Sequence, residues 1–308
     1  MPSWLNQEII YFYSVPFFIA VIVLELLFSN LRGLRLYSWR DSLTSATFAL
    51  TNLSLDMLFK GLSFALLGWS YSHRVFDWGA HTATQQLFWY WILLLILQDF
   101  AYWAQHTVDH SSRLFWAIHS THHNSEQYNL TTGFRSSVLQ PLYRFVYFMP
   151  LAWLGFLPLH IMFVYSVTQI YGNLVHTQLI GKMGILEKFM VTPSHHRVHH
   201  ASNTPYLDKN MGMLFIAWDK LFGTFEEEGR DPEPVRYGTV SSPQKRDPWS
   251  LFSYEFKNIW RDIRMPNLTP WQRFCYVFAP PGWSHDGRTQ TAKQMQHEWN
   301  AQHPKLKN

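Results

Sequence analysis

Long apolar stretches separated by short polar segments dominate the first 181 residues. Ile9 to Leu24 holds no charged residue, and the run continues past Glu25 to Phe28, enough for a helix to cross the roughly 30 Å hydrocarbon core of a bilayer. A second stretch, residues 45–69, is interrupted by Asp56 and Lys60, and a third, residues 87–104, contains LFWYWILLLIL with Asp99 near its end. The fourth, residues 145–181, has no Asp, Glu, Lys or Arg. As one helix it would extend roughly 55 Å, nearly twice the hydrocarbon core. The spacing therefore predicts two helices that turn near Leu157-Pro158, where proline removes a backbone donor and breaks the helix.

These elements predict an all-α, polytopic membrane protein of four or five spanning or re-entrant helices with a helical cap. The segment after the first run carries Arg32, Arg35 and Arg40, whereas residues 1–8 offer only Glu8. The positive-inside rule then sets the Arg-rich loop in the cytoplasm and the N-terminus outside. Counting the spans onward brings residues 106–123 and 182–225, and the C-terminus, to the cytoplasmic face. After Phe225 the composition turns polar, beginning EEEGRDPEPVR. The expected division is a membrane domain over 1–225, a cytoplasmic or interfacial extension over 226–288, and a disordered tail over 289–308.

Composition agrees with a membrane setting. Aromatic residues reach 18%, with 15 Trp and 24 Phe, while charged residues are only 15%, and Trp and Tyr concentrate at bilayer interfaces. Net charge is +4 without a Lys/Arg run, so nucleic acid is not an expected partner. One cysteine, Cys275, excludes an intrachain disulfide framework and a thiolate metal cluster. The first residues, MPSWLNQEII, lack the basic region and cleavage site of a signal peptide, so the first run is expected to be retained.

Histidine changes the picture most. Of 16 in the chain, ten fall in four places: His106 and His110 in HTVDH, His119, His122 and His123 in HSTHH, His176 alone, and His195, His196, His199 and His200 in SHHRVHH. On a helix, positions i, i+3 and i+4 share a face, so each cluster can aim its imidazoles at one point. Neutral imidazole ligates iron, zinc, copper and nickel. A single zinc takes three or four ligands, so nine or ten histidines suit two ions. Imidazolium would be costly beside apolar helices, which also favours ligation. His160, in an apolar run, reads as a core or interfacial residue, and His73, His81, His285, His297 and His303 as surface residues. A metal transporter would place ionisable groups at the bilayer midplane rather than beyond helix ends. Haem needs one or two axial histidines, leaving most of the ten unexplained.

The order HxxxH, HxxHH, isolated His, HxxHH over residues 95–225 resembles the fatty acid hydroxylase and sterol desaturase superfamily. The segments DFAYWAQH, AIHSTHHNSEQYNLTTGFR, TPSHHRVHHASN and DKNMGMLFIAWDKLFGTFE, with PPGW at 280–283, resemble its alkylglycerol monooxygenase branch. The resemblance implies a histidine-ligated di-iron centre that uses O2 to hydroxylate or desaturate a C–H bond of a membrane lipid, with zinc able to substitute for iron in overexpressed protein. For that branch it implies cleavage of alkylglycerol ether lipids with tetrahydrobiopterin as reductant. Elsewhere in the superfamily the substrates are sterols, fatty acids and carotenoids. The implied ligands are His106, His110, His119, His122, His123, His176, His196, His199 and His200. His195 is a further ligand or supporting residue, and Asp99, Glu126 and Asn173 are candidates to orient ligands, as acids and amides do for metal-bound histidine. Two positions depart from the pattern: Thr107 stands where the branch often has Arg, and Ser111 where it has an acid. The segment Trp218-Asp219-Lys220 reads as packing.

Overall fold

The computed structural model describes residues 7–77 and 88–304, with side chains from residue 12 onward. His81, the six N-terminal residues and residues 305–308 lie outside the described residues. Twelve α-helices occur among the described residues: α1 (Gln7–Leu31), α2 (Trp39–Ser72), α3 (Phe88–Ser111), α4 (Arg113–His123), α5 (Leu130–Gly133), α6 (Met149–Trp153), α7 (Pro158–Leu174), α8 (Pro193–His199), α9 (Ala217–Phe222), α10 (Pro248–Ile263), α11 (Pro270–Phe278) and α12 (Ala292–Gln302). Short 3-10 turns join several of them. No strand forms among the described residues, only isolated bridges between Met190 and Phe215 and between Ala201 and Tyr237.

Two helices are long and apolar enough to cross a membrane, Phe12–Leu31 within α1 and Trp39–Ser72. Their outer surfaces are bare hydrocarbon: Phe12, Leu24, Leu50 and Leu58 are all exposed, as a lipid-facing surface requires. α3 joins its apolar first half to a polar second half. The 145–181 stretch turns near Leu157-Pro158 as expected, with proline in the first turn of α7. Its first limb, however, is a 3-10 stretch, Arg144–Phe148, followed by the five-residue α6. Pro150 restricts the residue before it and supplies no backbone donor, which shortens regular helix there.

Three acids in or beside the apolar helices are paired. Asp56 of α2 meets Arg144. Glu25 of α1, 4% exposed, accepts from Leu130 N at 2.8 Å and from the Tyr37 and Thr177 hydroxyls. Asp41 at the start of α2 pairs with the fully buried Arg135 at 2.8 Å. These contacts tie one end of α1 and α2 to the loops around residues 130 and 177. At the other end, α2, α3, α6 and α7 enclose an apolar core of Leu67, Leu94, Phe148, Phe156 and Ile161. The bundle thus has an apolar end and a polar end, and the histidine boxes lie at the polar one.

Within the expected tail, residues 292–302 form α12. α12 is capped by Thr291, whose side chain accepts from Gln294 N while Gln294 answers to the Thr291 N–H. That reciprocal cap satisfies two donors that would otherwise be orphaned.

Candidate metal centre

α3 runs without interruption from its apolar half through His106 and His110, spaced i, i+4 on one face. Ser112 breaks the helix, and α4 packs back against α3 with the second box in its last turn. His176 follows the end of α7. The last box rides on α8, set by Pro193 in the first turn and a cap at Thr192.

The nine implied ligands converge as two sets. One ring nitrogen from each of His106, His110, His119, His123 and His199 lies within 4.8 Å of the others, and the same holds for His122, His176, His196 and His200. The sets touch, with the His123 and His200 rings stacked at 4.3 Å. Each HxxHH box is divided between them. His119 and His123 (i, i+4) serve the first set and His122 the second, whereas His196 and His200 serve the second and His199 the first. A box therefore does not aim at one point, as the sequence suggested. Adjacent helical residues point about 100° apart, so one box can serve two foci.

The hydrogen bonds fix which nitrogen is free. A carbonyl can only accept, so Nδ1–H of His106 donates to Met211 O (2.8 Å), that of His122 to Arg135 O (3.1 Å), that of His176 to Gly172 O (2.7 Å) and that of His199 to Lys209 O (2.9 Å). His110 Nδ1 lies 3.2 Å from the Asp208 carboxylate. In the neutral ring Nε2 then carries a lone pair, and these lone pairs point inward. His176 Nε2 faces His196, His200 and His122 Nε2 at 3.0, 3.1 and 3.4 Å. The His110 and His199 Nε2 atoms are buried without any hydrogen-bond partner. Converging buried lone pairs repel one another unless a cation lies among them. The donor set, all imidazole nitrogen with the second nitrogen of four rings held by backbone carbonyls, fits a borderline metal ion.

Burial, reinforced by the neighbouring imidazoles, pushes His119, His122, His123, His196, His199 and His200 well below the usual imidazole range and His106 down to about 3. These rings are neutral at physiological pH and competent to ligate.

The other predicted residues fall elsewhere. His195 is buried beside the set, but its Nδ1 accepts from Thr192 N at 3.4 Å and its ring packs on Phe225, so it caps α8. Asp99 touches no histidine of the cluster. Its carboxylate accepts from Leu214 N, Phe215 N and Trp218 Nε1 at 2.9–3.0 Å, clamping the turn before α9. Glu126 is exposed and pairs with Arg246 at 3.3 Å. Asn173 lies one residue from the carbonyl that holds His176; a Cβ on Gly133 would stand 3.0 Å from His176 Nδ1 and 3.1 Å from the Asn173 oxygens. His160 is a core residue, 1% exposed and bonded to the Tyr90 hydroxyl at 2.9 Å.

Two acids were missed as supports. Asp109, buried between the histidines of the first box, accepts from Tyr143 Oη (2.7 Å), Gln140 (3.0 Å) and Gln105 (3.3 Å), and lies 4.0 Å from His119 Nδ1. Burial pushes its carboxyl up to about 6. The signal was an acid within HTVDH, where exposure is impossible if both histidines face inward. Asp219, read as packing, does pack. It accepts from Met211 N, Gly212 N, Trp103 Nε1 and Thr224 Oγ1, and so holds the loop whose Lys209 and Met211 carbonyls orient His199 and His106.

A cavity of about 680 Å³ opens onto His110, His123, His199 and His200. Its opposite wall comes from α10 and the loop before α12, including Tyr254, Asn258, Asp262 and Trp283. Arg113 at its edge pairs with Asp262 (2.8 Å) and Glu255 (3.6 Å), and Arg288 also reaches Asp262 (3.3 Å).

Residues 91–224 match the fatty acid hydroxylase family. The alkylglycerol monooxygenase of Homo sapiens is 34% identical over 278 residues, covering 88% of this chain and 59% of the relative. That of Caenorhabditis elegans is 36% identical over 206 residues, 63% of this chain and 40% of the relative. A human lathosterol oxidase is 28% identical over 147 residues, 45% of this chain and 46% of the relative. The chain spans about six-tenths or less of the length of these relatives. No solved structure matches it. The histidine boxes lie inside the segment that matches the fatty acid hydroxylase family, and the chain's likeness across most of its length is to alkylglycerol monooxygenases.

Proposed function

We propose that this protein is an O2-dependent membrane monooxygenase that hydroxylates a lipid C–H bond, with two iron ions held by the nine histidines. The observation that carries the reading is the convergence of nine buried or half-buried imidazoles into two adjacent sets, four of them with the tautomer fixed by a backbone carbonyl. Bound iron would supply oxygen activation; zinc would substitute in overexpressed protein without supporting it. The balance is R–H plus O2, two electrons and two protons, giving R–OH and water. The electrons come from an external donor, a reduced pterin or a ferredoxin system.

The protein's own groups supply geometry and a dry surround. Backbone carbonyls hold four of the imidazoles in one tautomer, and Asp109 and Asp219 fix the segments that carry the ligands. The cavity beside the first set is where a substrate's reacting carbon reaches the centre. Arg113 and Arg288 at its wall are already paired with Asp262, which suits an uncharged hydroxylated head better than a phosphate. The ether carbon of an alkylglycerol meets both needs. Hydroxylation there gives a hemiacetal, which collapses to a fatty aldehyde and a glycerol. The Arg-rich segment after α1 lies at the histidine end of the bundle, since Asn129 Nδ2 donates to Leu36 O at 2.7 Å. That supports placing both on the cytoplasmic side and the N-terminus outside.

Membranes containing the protein, given a 1-O-alkylglycerol, O2 and either reductant, are expected to release fatty aldehyde. The second reading, oxidation of a sterol, fatty acid or carotenoid, is favoured by the shorter match to lathosterol oxidase. Oxidation of one of those lipids, with no aldehyde from either reductant, would replace the ether-lipid reading.

A further inference from the structure

The extension beyond the family-matched segment carries a surface that the chemistry above does not use. α10 and α11 pack on each other, and each has two distinct faces. One face of α10, with Tyr254, Asn258 and Asp262, walls the cavity. On another, Trp249, Phe252, Phe256 and Trp260 follow one another at i, i+3, i+7 and i+11, with Trp249 67% and Trp260 59% exposed. α11 repeats the pattern with Trp271, Phe274 and Phe278, Trp271 being 68% exposed. Exposed aromatic rows of this length on a polar extension need a partner.

Charge and position identify it. Within residues 248–278 the acids are Glu255 and Asp262, both turned inward and paired with Arg113. The remaining charges, Lys257, Arg261, Arg264 and Arg273, are exposed and all basic. The stripe also begins against a helix apolar enough to cross a membrane, because Phe252 packs in one cluster with Phe48 and Leu55 of α2. Aromatic residues beside cations, continuous with a spanning helix, are the composition of an interfacial helix on an anionic leaflet.

We infer that α10 and α11 form a membrane-docking surface that seats its Trp and Phe rows at the headgroup–acyl boundary of an anionic bilayer. The extension is then not a solvent-facing cap, and the helix that walls the cavity rests on lipid with its other side. The inference does not depend on which metal or substrate the centre uses.

The buried Cys275 is the chain's single cysteine, so surface cysteines can be labelled selectively. The full-length protein carrying W260C, W271C or, as a reference on α12, K293C is labelled with the fluorophore NBD and reconstituted in nanodiscs of phosphatidylcholine and phosphatidylserine. Lipids bearing a nitroxide at acyl position 5 are expected to quench the label at 260 and 271 by about half, as a depth of roughly 5–10 Å implies, and to leave that at 293 unchanged. The K257E/R264E variant, labelled at 271, is expected to lose most of this quenching. Labels at 260 and 271 that respond no more than that at 293 overturn the inference. So does a blue-shifted label that ignores the nitroxide lipid but responds to protein dilution, which would assign the surface to a second copy of the chain.

Discussion

His176→Ala is expected to lower bound metal from about two ions per chain to about one and to cut hydroxylation by at least about 100-fold. His176 is the hub of the second set, with three other Nε2 atoms within 3.4 Å of its own. Removing it leaves three nitrogens, with Gly172 O unpaired behind them. The same change at His199 leaves four nitrogens in the first set, so His199→Ala should retain more metal while still losing activity. Losing a supporting hydrogen bond already costs a metal site about 10–100-fold, and losing a ligand costs more. The comparison is made by elemental analysis of detergent-purified variants whose melting temperatures match the parent's. Two ions and unchanged turnover in His176→Ala would remove the second set from the mechanism.

Asp219→Ala should be the most destabilising single change outside the histidines. It strands four donors in a fully buried place: two backbone N–H groups, the Trp103 indole and the Thr224 hydroxyl. Each unsatisfied donor costs about 1–3 kcal/mol, and local rearrangement recovers part of it, leaving roughly 3–5 kcal/mol. For a chain of this size that lowers Tm by about 10 °C. The loop carrying the Met211 and Lys209 carbonyls loosens with it, so the first set should lose metal before the second. A melting temperature within about 2 °C of the parent's, with full metal content, would show that Asp219 does not hold that loop.

Much of the centre was legible because histidine spacing is a strong signal. The nine residues named from the boxes are those the fold gathers into two sets. Their division was also implicit, since i and i+4 share a face while the i+3 residue beside them looks elsewhere; treating each box as a unit concealed it. His195 carried box composition but occupies the third position of a helix after Thr192, where capping competes with ligation. Asp99 was legible as an acid needing a partner, but its partners are backbone donors 115 and 116 residues away, which no local pattern encodes. Glu25 of α1 likewise reaches partners far along the chain, at Leu130 and Thr177. The tail helix could have been found, because Thr291 and Gln294 carry the spacing of a reciprocal cap; low hydrophobicity hid it. α3 and the 145–181 stretch are apolar in composition yet pack largely against other protein segments, so composition alone does not separate a span from a core element.

The central claim is that the two histidine sets each hold an iron ion in the working enzyme. Elemental analysis of detergent-purified protein, read alongside turnover of the same preparation, tests it most directly. About two iron ions per chain in the active fraction is the expected result, whereas an active preparation with one metal ion per chain or none would contradict it.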